Sequence, residues 1–225
     1  MEMKIDKEIE NSVKAAELEF REEPMDDYYS NLIAGYPSRL RVRKILKELG
    51  DIREKKVLDV GCEAGHVSMQ ILKKNPRELH GIDVCQPALD AFSEKLEKAN
   101  VKTKVVLKKA FMQEMPFKNE SFDHAVCTEV IEHVPKLHLG IKEVARVLKK
   151  DAKFILTFPN EKLRKLLYPI VKMLGINTDV EKDVTLFERD AGGIINLLGP
   201  HFIIEKAYRI PWYFPITNVI VARKR

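Results

Sequence analysis

Between Lys56 and Phe158 the chain alternates short runs rich in Val, Ile and Leu with longer stretches whose apolar residues recur every three or four positions. The runs predict strands at Lys56–Val60, Leu79–Asp83, Lys104–Leu107, Phe122–Thr128 and Lys153–Phe158. The periodic stretches predict helices at Gly65–Lys74, Pro87–Ala99 and Pro135–Lys149; in the last, Ile141, Val144, Ala145 and Leu148 line one face. Pro87 and Pro135 fall where a first helical turn begins, since proline has no N–H to lose there. Alternating strand and helix means a mostly parallel sheet covered on both faces. The flanks read differently. The residues before Pro24 form a charged helix, Asp26-Asp27-Tyr28-Tyr29 follows, and Pro37-Ser38 opens a helix at Arg39–Leu49, with Ser38 as N-cap and Gly50 as stop. Beyond Pro159-Asn160 come a basic amphipathic helix over Glu161–Leu174 broken by Pro169, a loop through Asn177–Thr185, a helix at Asp190–Leu198, and strands at Phe202–Tyr208 and Ile216–Ala222.

Composition narrows this picture. The 225 residues, 45% hydrophobic and 32% charged, suit one soluble domain with a substantial core: a helical segment or lid over 1–50, and an α/β body over 51–225 with an insertion at about 160–187. The apolar stretches at Ile194–Ile204 and Tyr213–Ala222 are interrupted and too short to cross a bilayer. The charged start (Glu2, Lys4, Asp6) does not read as a signal peptide. Cys62, Cys85 and Cys127 are odd in number and far apart, so neither a disulfide framework nor a zinc site is expected, and the expected location is the cytoplasm. The net charge of +5 comes from bases interleaved with acids, which gives no strong signal for nucleic acid.

The chemistry centres on Val57-Leu58-Asp59-Val60-Gly61-Cys62-Glu63-Ala64-Gly65. A buried strand ends in an acid and then two glycines, which let the chain turn sharply into a helix whose N–H groups face a ligand. Two nucleotide cofactors compete for such a loop. A dinucleotide fingerprint needs G-x-G-x-x-G, but Glu63 and His66 stand at its second and third glycines, and a carboxylate at 63 repels a pyrophosphate. Asp59 suits a cationic ligand, such as the amino group of S-adenosylmethionine. Asp83, with Val84 beside it, ends the next strand about twenty residues on, where an acid accepts both hydroxyls of a ribose.

Two later segments give the loop its context. Ala110-Phe111-Met112-Gln113-Glu114-Met115-Pro116-Phe117 precedes Ser121-Phe122-Asp123, and Thr128-Glu129-Val130-Ile131-Glu132-His133-Val134 follows the fourth strand. Together with Asp59–Gly65 and Asp83 they resemble the class I S-adenosylmethionine-dependent methyltransferases, in particular the small-molecule branch that includes quinone and sterol-type enzymes. The resemblance runs from about Tyr29 to Arg225. It implies an α/β, Rossmann-like, doubly wound sheet of seven strands, with the last inserted antiparallel. It also implies that Asp59, Gly61, Cys62, Glu63 and Gly65 hold the methionine end, Asp83 and Val84 the ribose, and Phe111 and Met112 the adenine. The chain departs from the family pattern at Glu63, where a glycine is usual, and at Phe111, where an aspartate meets the adenine amino group.

Thr128 and Glu129 are expected beneath the transferred methyl group. Glu129 and His133, four apart, are candidate general bases. They can instead simply shape the pocket, since transfer from a sulfonium needs mainly positioning. Glu129, Glu132 and His133 also resemble the E-x-x-E-H metal set of RNA 2′-O-methyltransferases, but the second histidine such a site needs is represented only by His201, far from Pro159-Asn160. The expected function is transfer of a methyl group from S-adenosylmethionine to an O, N or C atom of a small, apolar acceptor. The alternatives are an RNA methyltransferase and a binding module that has lost catalysis. Acceptor specificity is expected from Met25–Tyr36, Glu161–Phe187 and Trp212-Tyr213-Phe214, which suit a lid or peripheral contact with a membrane surface.

Overall fold

The computed structural model describes residues 7–22, 35–163, 165–166, 187–211 and 215–225. Their elements, in chain order, are α1 (Lys7–Glu22), α2 (Tyr36–Leu49), β1 (Lys56–Val60), α3 (His66–Leu72), β2 (Glu78–Asp83), α4 (Gln86–Lys98), β3 (Lys104–Lys109), β4 (Phe122–Thr128), α5 (Leu137–Val147), β5 (Leu148–Pro159), α6 (Ala191–Leu198), β6 (Phe202–Ile210) and β7 (Thr217–Lys224). The tyrosines at 28 and 29, the break at Pro169, the loop at 177–185 and Trp212-Tyr213-Phe214 lie outside the described residues.

One seven-stranded sheet runs β3-β2-β1-β4-β5-β7-β6, with β7 antiparallel to both neighbours and the other strands parallel. The chain winds outward from β1 through β2 to β3, then crosses over to β4 on the other side of β1. The strand order reverses between β1 and β4, and at such a switch point a crevice opens beyond the carboxyl ends of the strands.

Strand alternation builds the core on both faces. Ala125 and Cys127 of β4, Phe154 and Leu156 of β5, and Ile220 and Ala222 of β7 pack with α5 and α6 on one side. Val126, Ile155 and Val221, one residue out of phase, pack with α2, α3 and α4 on the other.

Three expectations need correction. The helix expected from Arg39 begins at Tyr36, capped by Gly35, whose carbonyl accepts the Arg39 N–H at 3.0 Å. Pro37 sits in its first turn, so Ser38 is buried inside the helix and is no cap. The helix expected from Pro135 begins at Leu137, because Lys136 takes left-handed angles (φ +48°). It ends at Val147, and Leu148 is extended and opens β5 by pairing with Phe122. Leu148 remains buried in the same cluster as Ile141 and Val144, which is why periodicity alone ran the helix through it. Among the described residues no helix is long and apolar enough to cross a membrane.

Candidate active site

The glycine loop is fixed from both sides. The N–H groups of Gly61 and Cys62 both donate to the Ile82 carbonyl, at 2.8 and 3.0 Å. Gly61 (φ +72°) and Gly65 (φ +80°) occupy left-handed conformations. A Cβ on Gly65, which caps α3, would lie 2.1 Å from the Phe92 ring. Glu63 also has positive φ, and its N–H donates to Asp83 Oδ2 at 2.9 Å, while the Cys85 N–H donates to Oδ1 at 2.9 Å. Burial pushes the Asp83 carboxyl above its ordinary value, and the backbone donors oppose the shift. Asp59 is 1% exposed and accepts the Ser68 hydroxyl at 2.6 Å. Burial raises its pKa to about 7; the Ser68 bond opposes this and the nearby Asp83 adds to it.

At the end of β3, the Ala110 N–H donates to the Asp83 carbonyl at 3.0 Å, which seats Phe111 and Met112 near the end of β2. Phe111 is half-buried; Met112 is almost fully buried, with its side chain close enough to α5 that a Cβ on Gly140 would meet Met112 Cγ at 2.9 Å. At the end of β4, the Thr128 Oγ1 is buried and meets no hydrogen-bond partner among the described residues. Glu129 turns out of the strand in a left-handed conformation (φ +54°) and donates its N–H to the Thr157 carbonyl at 3.0 Å. Thr157 Oγ1 donates back to Glu129 Oε1 at 2.9 Å, and Arg41 of α2 pairs with Oε2 at 3.4 Å.

These groups surround one cleft of about 1180 Å³ counted out to its open mouth. Every candidate except Gly65 lines it; Gly65 stands behind, setting the start of α3. Helix α1 lies across the opening, with Ile9, Ala16 and Phe20 facing in and the Ser12 hydroxyl donating to the His133 carbonyl at 2.6 Å. Glu132 is 2% exposed and does not line the cleft. Among the described residues no three of His, Cys, Asp and Glu are grouped to hold a metal. All three thiols are free and buried, and burial pushes each up, so none is poised as a nucleophile.

Sequence reading missed Arg41, Thr157 and Ser12. Arg41 had a visible signal: with Ser38, Ile45 and Glu48 it falls at three- and four-residue spacing on the buried face of α2, where a charge calls for a reason. Thr157 and Ser12 had none, because their partners meet them only through the tertiary fold.

A glycine turn at a switch point, with an acid ending each of the first two strands, defines a nucleotide-cofactor site of the doubly wound α/β class. The cleft also fits such a ligand chemically. Acids at 59, 63 and 83 suit a cationic group and ribose hydroxyls, and the Thr128 oxygen is a buried polar atom that a ligand would satisfy.

Residues 58–156 match the family model described as a methyltransferase domain. The chain is 28% identical over 174 residues to a sterol 24-C-methyltransferase of Aspergillus fumigatus, covering 72% of this chain and 45% of that one. It is 32% identical over 134 residues to a ubiquinone biosynthesis O-methyltransferase of Pseudomonas fluorescens, covering 59% and 56%. The chain thus spans about half the length of these curated relatives. The crystal structure of magnesium protoporphyrin IX methyltransferase from Synechocystis, with bound SAH, superposes with a TM-score of 0.73 at 16% identity, over 95% of this chain and 100% of that one; this likeness speaks to the fold. Residues 58–156 are thus similar to a methyltransferase domain, and they are set within a fold that the protoporphyrin enzyme shares.

Proposed function

We propose that the cleft binds S-adenosylmethionine and that the chain directs its methyl group to an O, N or C atom of a small acceptor with an apolar body. The observation that carries this is the anchored Asp83. The Glu63 N–H of the glycine loop and the Cys85 N–H just before α4 each hold one carboxylate oxygen, and each oxygen keeps a lone pair for one hydroxyl of a ribose. The bound SAH of the protoporphyrin methyltransferase and the sterol and ubiquinone names of the sequence relatives support the same reading.

Each residue then has a physical task. The backbone at Gly61 and Cys62 lets the methionine end approach closely, Asp59 faces its ammonium and Arg41 its carboxylate, and Phe111 with Met112 borders the adenine. S-adenosylmethionine supplies an electrophilic methyl on a sulfonium whose thioether leaves without a proton, so the protein's work is orientation. Both oxygens of Glu129 are committed, one to Thr157 and one to Arg41, which makes Glu129 a shaper of the cleft. His133 lines the cleft, and in this reading it receives the acceptor proton. The apolar faces of Ile9, Ala16 and Phe20 exclude water above it. Buried free thiols fit a reducing compartment such as the cytoplasm.

Calorimetry with S-adenosylmethionine, SAH and NAD tests the reading. Binding of the first two without NAD is the expected result, and tight NAD binding alone overturns it. Transfer of a labelled methyl group to a panel of phenols, quinols, amines and apolar alcohols then identifies the acceptor. Cofactor binding with no transfer to any of them assigns the chain to a binding module.

A further inference from the structure

The loop between β4 and α5 gives up five consecutive carbonyls to donors from three separate parts of the chain. Arg189 Nε donates to Ile131 O at 3.3 Å and its Nη2 to Val134 O at 2.8 Å. The Phe187 N–H donates to Glu132 O at 2.9 Å, the Ser12 hydroxyl to His133 O at 2.6 Å, and Gln113 Nε2 to Pro135 O at 2.6 Å. Loop carbonyls usually face water, so five in a row taken by the protein mark a backbone held in one shape. His133 lies in the middle of that run.

Arg189 contributes most to the holding. It precedes α6, where the chain returns from residues 167–186. Its planar fork spans two carbonyls three residues apart from one rigid group. Its guanidinium also stacks on Phe187, 4.8 Å from the ring centroid, which fixes the direction of the fork. Burial lowers its pKa and the charge of buried Glu132 opposes that, so Glu132 and Arg189 sense each other within the same packed unit.

We propose that Arg189 is a positioning residue for His133: by holding the Ile131 and Val134 carbonyls it sets where the imidazole stands in the cleft and ties the return segment at 187–190 to the methyl-transfer site. The role of the imidazole in transfer rests on the function proposed above; the holding of the loop does not.

The test compares Arg189→Ala, Arg189→Lys and Ser12→Ala with the wild type. Hydrogen exchange across 130–136 and the ring ¹³Cε1 resonance of His133 are read in the ligand-free protein, and SAH affinity is read by calorimetry. For Arg189→Ala we expect exchange in the loop to rise about tenfold, the His133 resonance to move, and SAH to bind several-fold more weakly. Arg189→Lys, whose single ammonium serves one carbonyl, should keep the fold and fall between the two. Ser12→Ala should raise exchange at the centre of the loop. If Arg189→Lys folds yet leaves both the exchange and the His133 resonance at wild-type values, the proposal is overturned, and that holds also where Arg189→Ala fails to fold. A wild type that binds no SAH refutes the cofactor reading, while the ligand-free measurements still decide the role of Arg189.

Discussion

The Asp83 carboxylate accepts the Glu63 backbone N–H at 2.9 Å, so the acid that ends β2 holds the glycine loop that ends β1. One side chain thereby serves the loop's shape and the proposed ribose contact. Asp83→Ala removes both and leaves the Glu63 and Cys85 N–H groups without their acceptor, at a cost of roughly 1–3 kcal/mol each. The expected result is a lower melting temperature and S-adenosylmethionine affinity reduced by at least about tenfold. Asp83→Asn, which keeps one accepting oxygen, should lose less of both. Calorimetry showing wild-type affinity in Asp83→Ala removes Asp83 from the ribose role.

Asp59 makes stability depend on pH in a direction opposite to most carboxylates. Burial raises its pKa from 3.8 to about 7. Between those values the folded protein keeps a proton that the unfolded chain has lost, so unfolding releases it. This contribution is therefore most favourable below pH ~4, declines as pH rises toward ~7, and levels off above that. Asp59→Asn abolishes the decline: in denaturant titrations its stability relative to the wild type should grow from pH 5 to pH 8. If the ligand's ammonium faces Asp59, binding at pH 6 drives off the same proton. The heat of S-adenosylmethionine binding should then vary with the ionisation enthalpy of the buffer for the wild type and not for Asp59→Asn. Equal buffer dependence in the two proteins would place the ammonium elsewhere.

The sheet was readable because its strands are short runs rich in Val, Ile and Leu, and the first two carry Asp59 and Asp83 near their carboxyl ends, where the cleft forms. Boundaries were less readable where packing and conformation diverge. Leu148 is as buried in a strand as it would have been in a helix, and Lys136 adopts left-handed angles that no local residue preference demands. In the site, Asp59, Asp83 and Glu129 were visible as motif positions. The partners that fix them were less so, because Ser68 and Thr157 are ordinary residues of a helix and a strand until the fold brings them within 3 Å. Arg41 sits between these cases, marked by a charge on an apolar stripe but with no hint of Glu129 as its partner.

Gly65 and Gly50 share a positive φ (+80° and +71°) but neither ψ nor surroundings: Gly65 is left-handed (ψ +19°), whereas Gly50, at ψ −139°, lies close to a region that is essentially glycine's alone. A Cβ at Gly50 would meet nothing within 4 Å, whereas at Gly65 it would lie 2.1 Å from the fully buried Phe92 ring. Gly50→Ala should therefore cost only the backbone penalty of that conformation, about 1–3 kcal/mol. Gly65→Ala should cost the left-handed penalty of about 1–2 kcal/mol and about 1–3 kcal/mol beyond it, because Phe92 has no room to yield without disturbing α4. Urea denaturation of the two variants measures the difference. A cost at Gly65 no larger than the left-handed penalty of about 1–2 kcal/mol would mean that the ring shifts freely and that close packing is not what requires glycine there.

Arg41 is 8% exposed, lines the cleft, and pairs with Glu129 Oε2 at 3.4 Å. If its guanidinium also meets the α-carboxylate of the ligand, the effect of removing it must depend on whether the ligand has one. S-adenosylmethionine and SAH both carry the carboxylate; 5′-methylthioadenosine has the same nucleoside without the amino acid. Arg41→Ala should weaken the first two by a similar factor, roughly 10–100-fold for a charge-assisted contact, and leave 5′-methylthioadenosine close to wild type. The rival explanation is that Arg41 acts only by steadying Glu129. Thr157→Val decides between them, since it takes the other hydrogen bond from Glu129 without touching the guanidinium. A loss in Thr157→Val as large as that in Arg41→Ala, or an equal loss for all three ligands, assigns the effect to the shape of the cleft. A loss confined to Arg41→Ala and to ligands with the carboxylate assigns it to the charge.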